Sequence, residues 1–394
     1  MSRQRAKAFA PATVGNIAVG FDLLGHALDA VGDTVTIQRL DTPEVVIANI
    51  LNADVPLPMD PEKNTATAGL VRLIAEKNLS FGFEVTIEKG IALGSGMGGS
   101  ASSAAASIVA AEALLDEPLS ALERFDYALT GEAVASGAAH GDNLAPALFG
   151  GIQLVTSIDP VRITPIPAPE GVVCALAHPH ARLDTRKARA VLARDFDLHD
   201  FIHQSGLLAG FLAACFNNDL EMLEAHLADI LIEPLRAPLI VGFEQVKQAA
   251  LAEGALGCSI SGAGPSVFAW CRGEEAGQRT LDAMSAAFRD AGFEVDAYLS
   301  PVDARCARLV DENQCPSSRP LLHEQIQGSR SDAFHEHGRS EHPGQRQRGD
   351  EPWPRAKRQA VRPERLPAVL PRRLRRARHH RRDRRQVIAS ILRG

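Results

Sequence analysis

Between a strand-like run, FEVTIEKGIAL (83–93), and an alanine-rich helical run, SAAASIVAAEALL (103–115), lies Gly94-Ser95-Gly96-Met97-Gly98-Gly99-Ser100-Ala101-Ser102. Glycine lets a backbone turn tightly and come close to a ligand. The first N–H groups of the following helix lack internal partners, and its positive dipole end favours anions. A strand, a glycine-rich loop and a helix in that order make a phosphate-binding site. Two familiar phosphate loops fit badly. No Gly-Lys-Ser/Thr follows, and no Asp or Glu stands where a dinucleotide fold needs its ribose ligand. A tight turn without a ligand would use the same residues, so other segments have to carry the reading.

Two segments do so. APATVGNIAVGFDLLGHAL (10–28) has no hydrophobic period, yet it concentrates Gly15, Asn16, Gly20, Asp22 and Gly25. SISGAGPSVFAW (259–270) is a second glycine-rich turn that runs into an apolar strand. The elements that must position these loops alternate along the first 160 residues. TVTIQRL (34–40), VVIANIL (45–51) and FEVTIEKG (83–90) predict strands from their β-branched content. TATAGLVRLIAEKNL (65–79) predicts a helix, with Asn64 or Thr65 as its N-cap. A helix over LSALERFDYALTGEAVA (119–135) and a strand at GIQLVTSI (151–158) follow. Pro160, Pro165, Pro167 and Pro169 mark a domain boundary. Beyond them come a strand at VVCALAHP (172–179) and helices at 200–216, 220–232 and 242–254. Strand SVFAWC (266–271), a helix over 276–292 and strand EVDAYLSP (294–301) complete an α+β pattern.

The chain of 394 residues is long enough for two domains that each bury a core. Aromatics make up only 5%, so that core must be aliphatic and rich in alanine. MSRQRAKAFAPA has no apolar signal region and no 18-residue apolar run occurs, so neither export nor a membrane partner is expected. The six cysteines show no CxxC or metal-ligand spacing and read as reduced thiols of a cytoplasmic protein. Charge is unevenly distributed. Residues 304–394 carry 22 Lys/Arg against 10 Asp/Glu, while residues 1–303 carry 20 against 38. From about residue 314 apolar periodicity disappears into Arg-, Pro- and His-rich sequence. A basic arm for nucleic acid competes here with a disordered appendage, and the composition favours the appendage over a nucleic-acid partner.

The three glycine-rich segments, in this order and at these separations, resemble the motifs of the GHMP kinases. Within that family NIAVGFDLLGHAL, GSGMGGSA, HGDNLAPALFGG, RKARAVL, IEPLRAPLIVGF and SISGAGPS are similar to the homoserine kinase pattern. The likeness runs from about residue 7 to about 313. It implies the two-domain GHMP kinase fold: a ribosomal protein S5 domain 2-like ATP-binding domain over 1–160 and a ferredoxin-like domain over 161–313. The basic tail, 314–394, is extra to the family.

The resemblance also implies chemistry: transfer of the γ-phosphate of ATP to L-homoserine, with Mg²⁺ as cofactor. The phosphate cradle would be Leu93 to Ser102. Ser100 and Glu132 would ligate the metal, a donor set of one hydroxyl and one carboxylate that suits a hard cation keeping its waters and phosphates. Homoserine kinases often carry Ser-Ser-Ala where this chain has Gly99-Ser100-Ala101, so one hydroxyl is missing. A zwitterionic acceptor calls for arginine at its carboxylate and an acid at its ammonium. Arg189 and Arg236 match the first requirement, and Asn16 and Asp22 the second. His140, Asp142 and Asn143 would line the acceptor pocket, with Asn143 orienting the hydroxyl and Asp142 serving if a general base operates. Thr185 matches a threonine near the transferred phosphate. Ser259 and Gly262 belong to the closing third motif, and Asn64 and Lys89 match nucleotide-pocket positions. The sequence leaves a homodimer open. Competing readings are a GHMP kinase for another alcohol, such as mevalonate or a sugar, and a GHMP-fold binding protein without catalysis.

Overall fold

A computed structural model describes residues 3–136 and 140–310, all within one compact unit. The expected disordered tail, 314–394, lies outside the described residues. In chain order the elements are β1 (Arg5–Gly15), β2 (Leu24–Leu40), β3 (Val45–Leu51), α1 (Ala68–Lys77), β4 (Gly82–Glu88), α2 (Gly99–Glu112) and α3 (Ala121–Ser136). Then come α4 (Leu144–Phe149), β5 (Ile152–Ile158), β6 (Val161–Ile166), β7 (Val172–Pro179), α5 (Thr185–Ala190), α6 (Leu198–Asn217) and α7 (Leu220–His226). The last are α8 (Glu233–Arg236), α9 (Phe243–Ala252), β8 (Gly257–Ile260), β9 (Val267–Arg272), α10 (Gly273–Asp290), β10 (Val295–Pro301) and β11 (Arg308–Leu309).

Two sheets organise these elements. The first runs β11–β1–β2–β4–β3, with β5 joined to the start of β2 and β6 joined to β5. Its pairs are antiparallel except β3 with β4. The second runs β10–β7–β9–β8 and is antiparallel throughout. Helix α2 lies on the first sheet beside α1, α3 and α4, with Ala101, Ala104 and Ala105 buried in one cluster with Ala8, Ala10 and Val35. Methyl-sized side chains on both surfaces let helix and sheet approach closely, which fixes where the start of α2 falls. A second cluster brings Leu24 and Leu28 of β2 together with Leu176, Phe211, Phe268 and Trp270 of the C-terminal half. A third places Phe243, Val246, Met284 and Phe288 of α9 and α10 on the opposite face of the second sheet. Strand β7 is therefore buried at every position and reads as a continuous apolar run.

Four local expectations shift. Helix α1 starts at Ala68 rather than after Asn64 or Thr65. Asn64 instead closes a turn, donating to Pro58 O at 2.8 Å and accepting from Ala66 N at 3.0 Å. The segment 10–15 is strand, hidden from a periodicity search because it is buried on both faces. Residues 161–166, within the proline cluster, form β6 at the edge of the sheet, where proline costs no ladder bond. The expected helix 220–232 stops at His226, and the Asp229 carboxylate takes up the amides of Leu231, Ile232 and Glu233.

Candidate active site

The glycine-rich loop forms the floor of a cleft with two adjoining lobes, about 220 and about 370 Å³ in volume. Both share Leu93, Gly94, Ser100, Glu132 and Thr185 as a common wall. The loop is clamped through its carbonyl oxygens. Gly94 O accepts from Leu183 N, Ser95 O from the hydroxyl of Ser266, Gly96 O from the hydroxyl of Ser261, and Met97 O from Thr13 N. Two glycines are obligatory here. Gly96 (φ 79°) packs so close that a Cβ would lie 2.5 Å from Ser261 O, and at Gly98 (φ 66°) it would lie 2.0 Å from Thr13 Oγ1. Gly98, Gly99 and Ser100 line the inner lobe at the start of α2, where helical N–H groups have no internal acceptor.

Beneath the loop, Lys89 and Asp33 form a buried ion pair. The Lys89 ammonium also donates to Gly99 O at 3.0 Å and to Ser103 Oγ at 2.9 Å. Asp33 accepts from Gly90 N, Ile91 N and the Ser103 hydroxyl at 3.0, 3.1 and 2.6 Å. Lys89 thus supports the loop from below and does not line either lobe, contrary to the expectation of a nucleotide contact. Ser102 is also turned away, donating to Ala10 O at 2.7 Å, and Ala101 is in the core. Residues one and two apart on a helix point in different directions, so with Ser100 facing the cleft neither neighbour can. Asn64 is occupied in its own turn. Ser259 is buried on β8 beside Glu233, and the third motif contacts the loop through Ser261 and Ser266.

The remaining residues singled out by sequence converge on the inner lobe. Asn16 accepts from Asp22 N at 3.0 Å and donates to Gly262 O at 2.8 Å, which ties the first motif to the third. This turn is strained: Asn16, Ile17 and Ala18 all have positive φ, at 72°, 42° and 54°. Arg189 grips Asp22 with two hydrogen bonds, at 3.0 and 2.9 Å. His140 Nδ1 stands 3.9 Å from the same carboxylate. Arg236 is buried, donating from Nε to Ala188 O at 3.1 Å and from Nη1 to Gly262 O at 2.9 Å. Phe21, which the sequence did not single out, lies under both guanidinium groups, its ring centre 5.6 Å from Arg189 and 5.0 Å from Arg236. Asn143 accepts from the Thr13 hydroxyl at 2.8 Å and donates to Asp142 at 3.1 Å.

Burial governs the electrostatics. It pushes the Glu132 carboxyl up to about 7, an effect eased by a hydrogen bond with Ser100 and reinforced by Asp142. Burial, together with the nearby Asp22 charge, raises Asp142 to about 7 as well. Burial lowers the His140 imidazole, as does Arg189, while Asp22 works against them. The raised Glu132 carboxyl, coupled to the Ser100 hydroxyl, is a setting where a divalent cation would restore ionisation, so these two donors fit Mg²⁺. Among the described residues no group of three or more His, Cys, Asp or Glu converges on a metal position.

Comparison with known proteins agrees with this arrangement. The model for the GHMP kinases N terminal domain matches residues 64–151, and that for GHMP kinases C terminal matches 211–290. The homoserine kinase of Xanthomonas campestris pv. campestris (strain B100) is 53% identical over 307 residues, covering 78% of this chain and 94% of that protein. That of Chlorobium phaeovibrioides (strain DSM 265 / 1930) is 40% identical over 316 residues, 77% of this chain and 99% of the relative. The crystal structure of homoserine kinase from Cytophaga hutchinsonii ATCC 33406 superposes with a TM-score of 0.76 at 38% identity, covering 78% of this chain and 98% of the other. At 17% identity, L. major mevalonate kinase shares the fold with a TM-score of 0.56. The chain belongs to the GHMP kinase family, in its homoserine kinase branch.

Proposed function

We propose that this protein is a homoserine kinase, moving the γ-phosphate of ATP to the hydroxyl of L-homoserine to give O-phospho-L-homoserine for threonine biosynthesis. One observation carries the reading. Ser100, Glu132 and Thr185 lie on the wall between two lobes, and only the inner one gathers Asp22, Arg189 and Arg236. The outer lobe suits the nucleotide, the shared wall the transferred phosphate, and the inner lobe a zwitterionic alcohol. On this reading residues 1–160 supply the nucleotide cradle and 161–313 the carboxylate-binding arginines, in a cytoplasmic enzyme.

Each side chain then has a task. The loop amides and the positive end of α2 hold the triphosphate. Ser100 and Glu132 hold Mg²⁺, which when bound neutralises charge on the phosphates. Arg236 and Arg189 take the acceptor carboxylate, and Asp22, steadied by Asn16, takes its ammonium. The Asn143 amide, fixed between Thr13 and Asp142, orients the acceptor hydroxyl toward the shared wall. As the oxygen–phosphorus bond forms and the bond to the β-phosphate oxygen breaks, the hydroxyl proton passes to Asp142, whose carboxyl sits near the operating pH. Positioning and charge stabilisation dominate such transfers. ADP release measured with L-homoserine, mevalonate and galactose tests the assignment. Turnover restricted to L-homoserine supports it, and preference for another alcohol refutes it.

A further inference from the structure

Strand β7 carries an imidazole into the interior behind the phosphate loop. Along this strand Val173, Ala175 and Ala177 pack with α9 and α10, while Cys174 and Leu176 join the cluster that holds Met97 of the loop. Alternation places His178 on the face of Cys174 and Leu176, toward the loop. Ala177 pairs with Val267 of β9, which brings His178 beside Ser266 at the end of the third motif. Its Nδ1 lies 3.0 Å from the Ser266 hydroxyl, and that hydroxyl donates to Ser95 O at 2.7 Å. The Ser266 amide reaches the same carbonyl at 3.2 Å. His178, Ser266 and Ser95 are all buried, and an imidazole so placed costs stability unless it is hydrogen-bonded.

These bonds have a fixed direction. A carbonyl can only accept, so the single Ser266 hydroxyl proton goes to Ser95 O, and the imidazole must donate through Nδ1–H. Burial lowers this imidazole to about 4, opposed by Asp296 and assisted by His180, so at neutral pH the ring is uncharged. The peptide plane secured in this way is the one most free to turn. It precedes Gly96, whose φ of 79° would become negative if the plane flipped, and glycine accepts either sign. In a trans peptide the carbonyl and the next N–H point in opposite directions, so a flip would put the Ser95 oxygen where the Gly96 N–H had been. We infer that His178 is a positioning residue of the phosphate loop: its Nδ1–H fixes the Ser266 hydroxyl on Ser95 O and so keeps the Gly96 N–H turned toward the nucleotide phosphates. Gly96 lines the cleft and His178 lines neither lobe, so the imidazole acts only through Ser266.

This role rests on the reading of the loop as a triphosphate cradle, and the test keeps the two apart. ATP binding in the presence of Mg²⁺ is measured by calorimetry without an acceptor, alongside KM for ATP and for L-homoserine. The full chain is compared with His178→Leu, His178→Asn, Ser266→Ala and the double variant His178→Leu/Ser266→Ala. His178→Leu and Ser266→Ala should each weaken ATP binding about three- to tenfold, the range that one ordinary hydrogen bond supplies, with KM for homoserine little changed. Asn can place an amide N–H where Nδ1 stands, so His178→Asn should recover most of the loss. The double variant should bind ATP no more weakly than Ser266→Ala, because the imidazole acts only through that hydroxyl. Additive losses in the double variant, a His178→Asn as impaired as His178→Leu, or unchanged ATP affinity in Ser266→Ala would overturn the role. The last of these decides the matter should His178→Leu not fold. An unaltered protein that binds no ATP would refute the cradle, and the role of His178 with it. One that binds ATP but phosphorylates another alcohol leaves that role standing and removes the proposed function.

Discussion

Substituting Lys89 with Met separates two roles that the sequence alone cannot tell apart. As a nucleotide contact, Lys89 would affect only ATP binding. In the structure its ammonium is buried with Asp33 and holds Gly99 O and Ser103. Removing one partner of a buried pair costs about 3–5 kcal/mol, because the other charge stays behind without compensation. Asp33 would keep three donors, Gly90 N, Ile91 N and Ser103 Oγ, which argues for the lower end, about 3 kcal/mol. At roughly 2–4 °C per kcal/mol for a protein of this size, Tm should fall by about 6–12 °C. Loss of the bond to Gly99 O also loosens the first turn of α2, so KM for ATP should rise. Adding Asp33→Asn removes the stranded charge and should recover more than half of the lost Tm. Thermal melting and steady-state kinetics on the same samples provide the readout. A Lys89→Met protein that melts within about 2 °C of the parent while its KM for ATP rises would refute the supporting role.

Three further outcomes follow from the geometry. Glu132→Gln should keep the fold and lower kcat by on the order of 100-fold or more, since it removes the carboxylate proposed to hold the metal; unchanged kcat at saturating Mg²⁺ would exclude that role. Arg236→Ala should raise KM for homoserine at least tenfold, from the ~2–5 kcal/mol cost of truncating one partner of a buried charge pair, with KM for ATP little changed. The third outcome concerns pH. Burial holds His26 down at about 4, and its ring is bonded as the neutral form, with Nδ1–H donating to Ala27 O and Nε2 accepting from Trp270. Unfolded, it would titrate near 6.5. The unfolded chain therefore binds the extra proton between those values, and stability falls as pH drops from about 6.5 to 4. Relative to His26→Gln, the parent should lose about 3 kcal/mol over that interval, read from urea unfolding at a series of pH values. The opposing titrations of Glu132 and Asp142 cancel in the difference, and a flat difference would contradict the burial of a neutral ring.

The loop and its flanking elements were legible because their signals are local. Glycine at 94, 96 and 98, a β-branched run before and an alanine run after are all readable within residues 83–115. Strand β1 was not legible, since burial on both faces of 10–15 erases the alternation that marks a strand. Helix α1 started late because the side chain of Asn64 served a preceding turn instead of a cap. Most of the residues that the resemblance singles out line the cleft, on loops (Asn16, Asp22, His140, Asp142) and on helices (Glu132, Arg189, Arg236) alike. Lys89, Ser102 and Ser259 do not line it, because each sits on or beside a regular element that turns it inward, and Asn64 is held in a turn of its own. Phe21, Thr13 and Asp33 were invisible for a different reason. Each acts on a partner between 56 and 215 residues away, and no spacing in the chain announces such a contact.

The most direct test of the account is the product itself. The protein, incubated with L-homoserine, ATP and Mg²⁺, should release ADP in step with the appearance of O-phospho-L-homoserine, followed by phosphorus NMR. No product should form when Mg²⁺ is chelated. ADP release that is independent of homoserine, or a phosphate ester that forms only on another alcohol, would contradict it.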